Sequence, residues 1–219
     1  MSHVNLSELD LSLLKIAKSG RNIKLVYNKE PLQLVTSKMY TPFGVKVNTN
    51  NYSSFTTCQI DCSLNQSGSE SSMKYASDLE ALDARIIELL KESESLFTVG
   101  NSVITEELVN IYNPILKPNK TYPKLIKIAL PRDTKGNFEF VVFDKSGKSK
   151  VPITDSNIED VLCKGIIFKG IIECVKIWYY NGRFGTTWNL KQMKFCEQNE
   201  PRVNENSGVY QSLMIMDDE

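Results

Sequence analysis

The stretch IWYYNGRFGTTW at residues 177–188 constrains the fold more than any other part of the chain. Asn181-Gly182 suits a two-residue type I′ turn, because both central positions need positive φ. With that turn in place Tyr180 opposes Arg183. Counting back, Tyr179 meets Phe184, Trp178 meets Gly185, Ile177 meets Thr186, Lys176 meets Thr187 and Val175 meets Trp188. Side chains alternate along a strand, so the register divides the hairpin into two faces. Val175, Ile177, Tyr179, Phe184, Trp188 and Leu190 form a core-like set. The other face carries Lys176, Trp178, Tyr180, Arg183, Gly185, Thr187, Asn189 and Lys191, with Gly185 expected to leave the Trp178 indole unobstructed.

The rest of the chain is read around this hairpin, which spans about residues 165–196. Residues 1–21 have Leu9, Leu13, Leu14 and Ile16 near one helical face and Gly20 as a stop, and predict a short helical lead. Residues 22–37 read as two β-rich runs around a turn at 28–31, and residues 52–64 as a further strand. From residue 73 the period changes: Leu79, Leu82, Ile86, Leu89, Leu90 and Phe97 recur at helical spacing. A second helix is expected over 105–112, ended by Asn113-Pro114. Strands return over 122–130 and 137–144, and a short helix over 155–163 precedes the hairpin. The order predicts a mainly β fold with α insertions: an OB-like small β-barrel over residues 22–196, with a helical insertion at about 73–112. Residues 197–219 read as an acidic tail with an apolar grip near its tip: Leu213, Met214, Ile215 and Met216, then Asp217, Asp218 and Glu219.

The formal charge of zero hides a strong asymmetry. Residues 1–64 carry +3, 65–109 carry −6, 110–195 carry +8 and 196–219 carry −5. A polyanion feels the local field within a Debye length of about 8–10 Å, so a basic body with acidic outworks is the informative pattern. The five cysteines have no tight paired spacing and read as buried free thiols of a reducing compartment. With a single histidine, His3, neither a metal site nor a histidine-dependent triad is expected. No phosphate-binding or dinucleotide glycine motif is present, and no cofactor or enzymatic activity is expected. The N-terminus lacks a signal-peptide pattern and there is no long apolar run, so an intracellular, soluble protein without membrane contact is expected.

Two aromatic plates joined to cations suit single-stranded nucleic acid. Bases stack on such rings for about 1–3 kcal/mol each, and Lys and Arg neutralise phosphates regardless of sequence. The candidate contacts are Trp178, Tyr180, Lys176, Arg183 and Lys191 on the hairpin. Lys120, Tyr122, Lys124, Lys127 and Arg132 form a strip where adjacent strands and loops are expected, to which Lys117 and Lys135 also belong, and Lys38 and Tyr40 lie before the Pro42-Phe43-Gly44 turn. Phe43 itself is expected in the core. Tyr, Trp and Arg also dominate protein interfaces, so a structural or virion protein using the same face remains the alternative.

Three blocks carry a resemblance: QLVTSKMYTPFGV (residues 33–45), TYPKLIKIAL (121–130) and IWYYNGRFGTTWNLKQMKF (177–195). Together they resemble single-stranded-DNA-binding proteins of nucleocytoplasmic large DNA viruses, the group that includes African swine fever virus. The likeness covers most of residues 22–196. The first block departs from the family pattern, with Thr36-Ser37 where Thr-Pro is common. The resemblance implies an OB barrel and a non-enzymatic accessory of viral DNA replication, recombination or repair, acting in a cytoplasmic viral factory or the nucleus. The acidic, partly apolar tip is also similar in kind to the tails of bacterial and phage single-strand-binding proteins, a likeness that implies contacts with replication proteins and competition with DNA for the basic groove. RNA as a ligand and a homo-oligomeric state are left open.

Overall fold

A computed structural model describes residues 3–19, 22–48, 56–64, 70–93, 108–117 and 123–197. The N-terminal segment is not the expected helix. After β1 (Val4–Asn5) it makes two 3-10 turns, Leu6–Glu8 and Leu11–Leu13, and then runs extended as β2 (Leu14–Ser19). The leucine spacing imitates a helix, but the Asp10 carboxylate accepts the Ser12 N–H at 2.9 Å, a local bond that competes with helix propagation. Leu6 and Leu14 turn inward while Leu13 stays exposed.

β3 (Asn22–Tyr27) pairs with β2, and Asn28 and Lys29, at φ 51° and 70°, turn the chain into β4 (Glu30–Pro31). A kinked run follows as β5 (Gln33–Val35), β6 (Met39–Tyr40) and β7 (Val45–Asn48), and then β8 (Thr57–Ser63). The long helix α1 (Glu70–Glu92) begins with an acidic residue and carries Lys91 in its last turn, both favourable to its dipole. The second helix is a single turn, α2 (Leu108–Ile111), because Tyr112 already belongs to β9 (Tyr112–Asn113); Phe97 and residue 105 lie outside the described residues. β10 (Leu116–Lys117), β11 (Leu125–Leu130), β12 (Val141–Phe143), β13 (Lys150–Val151) and the short α3 (Ile158–Val161) lead to the hairpin of β14 (Ile167–Tyr180) and β15 (Arg183–Glu197).

Five strand contacts close a ring. β14 pairs antiparallel with β6 and with β15, β6 with β8, and β8 with β11, while β11 runs parallel to β15. The chain is therefore mainly β, an OB-like five-stranded barrel with one long inserted helix and a long C-terminal hairpin. Closing so small a ring requires the long strands to curl. The hairpin does this through register shifts at Ile167/Phe168, Ile171/Ile172 and Cys174/Lys176, each a bulge that increases local twist.

Phe168, Ile172, Leu190 and Met193 of the hairpin pack inside against Ile60, Cys62, Ile126 and Ile128. Leu79, Leu82, Ile86 and Leu90 form the buried stripe of α1, each contributing about 1.5–3 kcal/mol by leaving water. The helix packs on the N-terminal turn, β2, β10 and α2, and the Arg85 Nε–H donates to the Leu11 carbonyl at 3.3 Å. It thereby reaches the segment that forms one wall of the candidate site.

Candidate nucleic-acid interface

Asn181 and Gly182 adopt φ of 48° and 72°, as a type I′ turn demands, and the pairing from Tyr180/Arg183 down to Lys176/Thr187 follows the register set by that turn. The next pair differs from expectation. Cys174, not Val175, opposes Trp188, because Val175 is the extra residue of a bulge. Cys174 takes the core place, fully buried, and Val175 is only half-buried.

Ile177, Phe184 and Trp188 lie in the core, but Tyr179 does not: it is 43% exposed. The neighbouring strand β3 reaches β14 at Ile177, through its partner Ile23, so the tip beyond is covered on that side mainly by Tyr179 stacking on Phe184, with centroids 4.7 Å apart. The hairpin tip thus shows aromatic surface on both faces.

On the outer face Tyr180 is 71% exposed, and Arg183 opposite it and Lys176 are exposed as well. Trp178 is half-buried for a specific reason. A Cβ at Gly185 would stand 2.4 Å from the indole Cζ2, so the ring lies across the glycine and occupies the space of the missing side chain. Gly185 is therefore a seat for the indole, not an open gap, and a ligand has access only to what the seat leaves uncovered.

Register extends this face across the barrel. Lys127 of β11 stands opposite Asp61 of β8, and Ala129 is the parallel partner of Asn189. Lys117 of β10 is opposite Leu125, which is opposite Ser63, which is opposite Tyr40. Tyr40 thus shares the face as a half-buried far rim, and Lys38 just before it is exposed. One antiparallel step from the Ile177/Ile23 pair puts Lys24 of β3 beside Lys176.

Between these elements lies a depression of about 220 Å³, bordered by Trp178, Lys117, Lys127, Asn113 and Thr187 among others. The β9 ladder on β15 ends at Gly185 and the β11 ladder is at Asn189, so the depression occupies the wedge between them. Its far wall is held by α1. The buried Asp83 carboxylate accepts the Tyr112 hydroxyl at 2.7 Å and the Ile115 N–H at 2.9 Å. Burial raises the Asp83 pKa to about 6, against the opposing pull of those two donors. The Lys117 ammonium is pushed below its usual value, first by burial and then by the charge of Lys127, with Asp61 opposing.

Several expected contacts are otherwise engaged. Lys124 forms an ion pair with Glu80 of α1, because its position in the alternation turns it from the Lys127 face towards the helix. Arg132, 9% exposed at its side chain, donates to the Gly136 carbonyl at 2.6 Å and to Asp155, with its guanidinium 3.8 Å over the Phe138 ring. It is a loop clamp and leaves the strip. Lys191, the extra residue of another bulge, stands 4.0 Å from Glu173. Phe43 is 41% exposed instead of in the core, with Lys46 over its ring at 5.0 Å. Lys120, Tyr122 and the tail residues from Leu213 to Glu219 lie outside the described residues.

Sequence reasoning missed Lys24 and Asp83. The alternation in NIKLVY does put Lys24 on a polar face, but the strand beside it is set by long-range pairing. Asp83 was one charge among many on an amphipathic helix. Among the described residues, Lys24, Lys117, Lys127, Lys176 and Arg183 enter no ion pair, whereas Lys46 is paired with Asp61.

No described helix is long and apolar enough to cross a membrane. No family model matches the chain. It is 26% identical over 169 residues to an uncharacterized protein of Acanthamoeba polyphaga mimivirus; the match covers 76% of this chain and 26% of that protein, so the chain spans about a quarter of its relative. Among solved structures it is similar to the single-stranded DNA-binding protein from bacteriophage Enc34 in complex with ssDNA, with a TM-score of 0.46, 12% identity, and coverage of 86% of this chain and 98% of that one. Another structure of the phage protein gives a TM-score of 0.39 at 11% identity, covering 89% of this chain and 95% of that one.

Proposed function

We propose that the chain binds single-stranded DNA with weak sequence preference, as a non-enzymatic accessory of viral DNA replication, recombination or repair. The observation that carries the reading is the outer face of the barrel, where Trp178 and the exposed Tyr180 share one surface with Lys24, Lys117, Lys127, Lys176 and Arg183, none of them in an ion pair among the described residues. Bases stack on the two rings, and phosphates follow the cations. Duplex DNA hides the faces that such rings need. The acidic end, residues 213–219, competes with DNA for the cations at low salt and serves as the contact for other replication proteins.

A second reading is favoured by Tyr179, whose exposed ring lies on the opposite face of the hairpin tip. There it suits a protein contact, with another copy of the chain or a partner. Fluorescence titration with oligo-dT separates the readings. The single-strand reading expects affinity that falls steeply with salt, as counterion release requires. Salt-independent behaviour, or no binding by the folded chain, contradicts it.

A further inference from the structure

The depression beside Trp178 differs from the open sheet around it in being a bounded volume. Its volume of about 220 Å³ is enough to take in a flat ring beside the indole. The wedge exists because β15 is bordered by β9 as far as Gly185 and by β11 from Asn189, so residues 186–188 look into the space between. Both tryptophans of the chain border it.

The chemistry of the border is that of a nucleotide. Trp178, fixed by its seat on Gly185, offers an aromatic plate. The Asn113 amide N–H donates to the Phe184 carbonyl at 3.3 Å, which leaves its amide oxygen as an acceptor for a base edge, and Thr187 adds a hydroxyl. Lys117 and Lys127 bring two positive charges together with no ion-pair partner among the described residues, and the nearby Asp61 is already bonded to Lys46. Two like charges gathered beside an aromatic wall are relieved by an anion. Asp83 fixes the Tyr112–Ile115 turn, so the wall is held in place before any ligand arrives.

The geometry points to a mononucleotide subsite in this depression, taking one nucleotide of a bound strand with its base against Trp178 and its phosphate between Lys117 and Lys127. It rests on the single-strand reading and deepens it: this one nucleotide is set apart from its neighbours and held more tightly than the bases stacked on the open face.

The test uses the full chain, ¹⁵N-labelled, whose two indole N–H signals both report on the site. Thymidine 5′-monophosphate, thymidine and inorganic phosphate are titrated separately by NMR, followed by oligo-dT. The expected result is a saturable shift of both indole signals with the monophosphate, weaker responses to the other two, and about tenfold weaker monophosphate affinity in Lys117→Ala/Lys127→Ala with the thymidine response retained. The Trp188 signal is informative because its indole N–H donates to the Thr186 hydroxyl at 2.9 Å inside the border. Indoles unmoved by the monophosphate while oligo-dT binds overturn the subsite and leave the single-strand reading standing. A shift produced equally by inorganic phosphate also overturns it, as an anion site alone. Failure of both oligo-dT and monophosphate to bind overturns the underlying reading.

Discussion

Two sets of basic residues on this chain look alike in the sequence and differ in the fold. Lys46, Lys124 and Arg132 each hold an acidic partner, Asp61, Glu80 and Asp155 respectively, and Lys191 stands near Glu173. Lys24, Lys117, Lys127, Lys176 and Arg183 hold none among the described residues and share a face with Trp178 and Tyr180. The difference lies in whether an acid stands at ion-pair distance: Asp61, although opposite Lys127 in the register, is bonded to Lys46. Exposed pairs add little to stability, but an acid beside a cation cancels much of the field that a phosphate would feel. Availability, not count, marks the proposed track.

The sharpest way to break this comparison is Trp178→Ala/Tyr180→Ala. Removing two stacking plates is expected to weaken oligo-dT binding by roughly 2–6 kcal/mol, about 30-fold or more, in a fluorescence or mobility assay. A folded double variant that binds normally removes the proposed platform. A smaller effect is expected on the paired set: Arg132→Ala should lower unfolding stability by about 1–3 kcal/mol, because hydrogen bonds and the Phe138 stack are lost, with little change in DNA affinity. A loss of affinity without a loss of stability in urea would move Arg132 back into the track.

Gly185→Ala tests the seat beneath the indole. The new Cβ would displace Trp178, at a cost of about 1–2 kcal/mol in affinity, and an unchanged titration would mean that the ring position is immaterial to binding. Of similar size is the effect of Asp83. Its pKa rises from 3.8 to about 6 on folding, so its stabilising contribution is full below about pH 4 and lost as pH rises through 6. Urea unfolding of Asp83→Asn should lack that part of the fall between pH 4 and 7, and a curve parallel to the parent chain would refute the assignment. Smallest is the tail. Deleting residues 213–219 should raise affinity a few-fold at low salt and hardly at all when charges are screened.

What the sequence made legible is what local chemistry decides. Asn181-Gly182 demanded its turn, the turn demanded its register, and α1 declared its buried stripe through Leu79, Leu82, Ile86 and Leu90. Barrel closure was not local. It placed a bulge at Val175 and another at Lys191, shifting the faces of the hairpin below its tip. Nor were the ion pairs local: Glu80 reaches Lys124 across 44 residues and Asp155 reaches Arg132 across 23. The N-terminal segment misled for the opposite reason, since Leu9, Leu13 and Ile16 satisfy helical spacing while the Asp10 to Ser12 bond and pairing with β3 draw the chain into a strand.

The contrast between free and paired cations is tested most directly by the salt dependence of oligo-dT affinity in two triple variants. Lys117→Ala/Lys127→Ala/Lys176→Ala should reduce the slope of log K against log salt by about 2, at roughly 0.7 per phosphate contact on a single strand. Lys46→Ala/Lys124→Ala/Lys191→Ala should leave the slope nearly as it is. Equal loss in both variants would contradict the account, because it would mean that acid partners make no difference to where the strand runs.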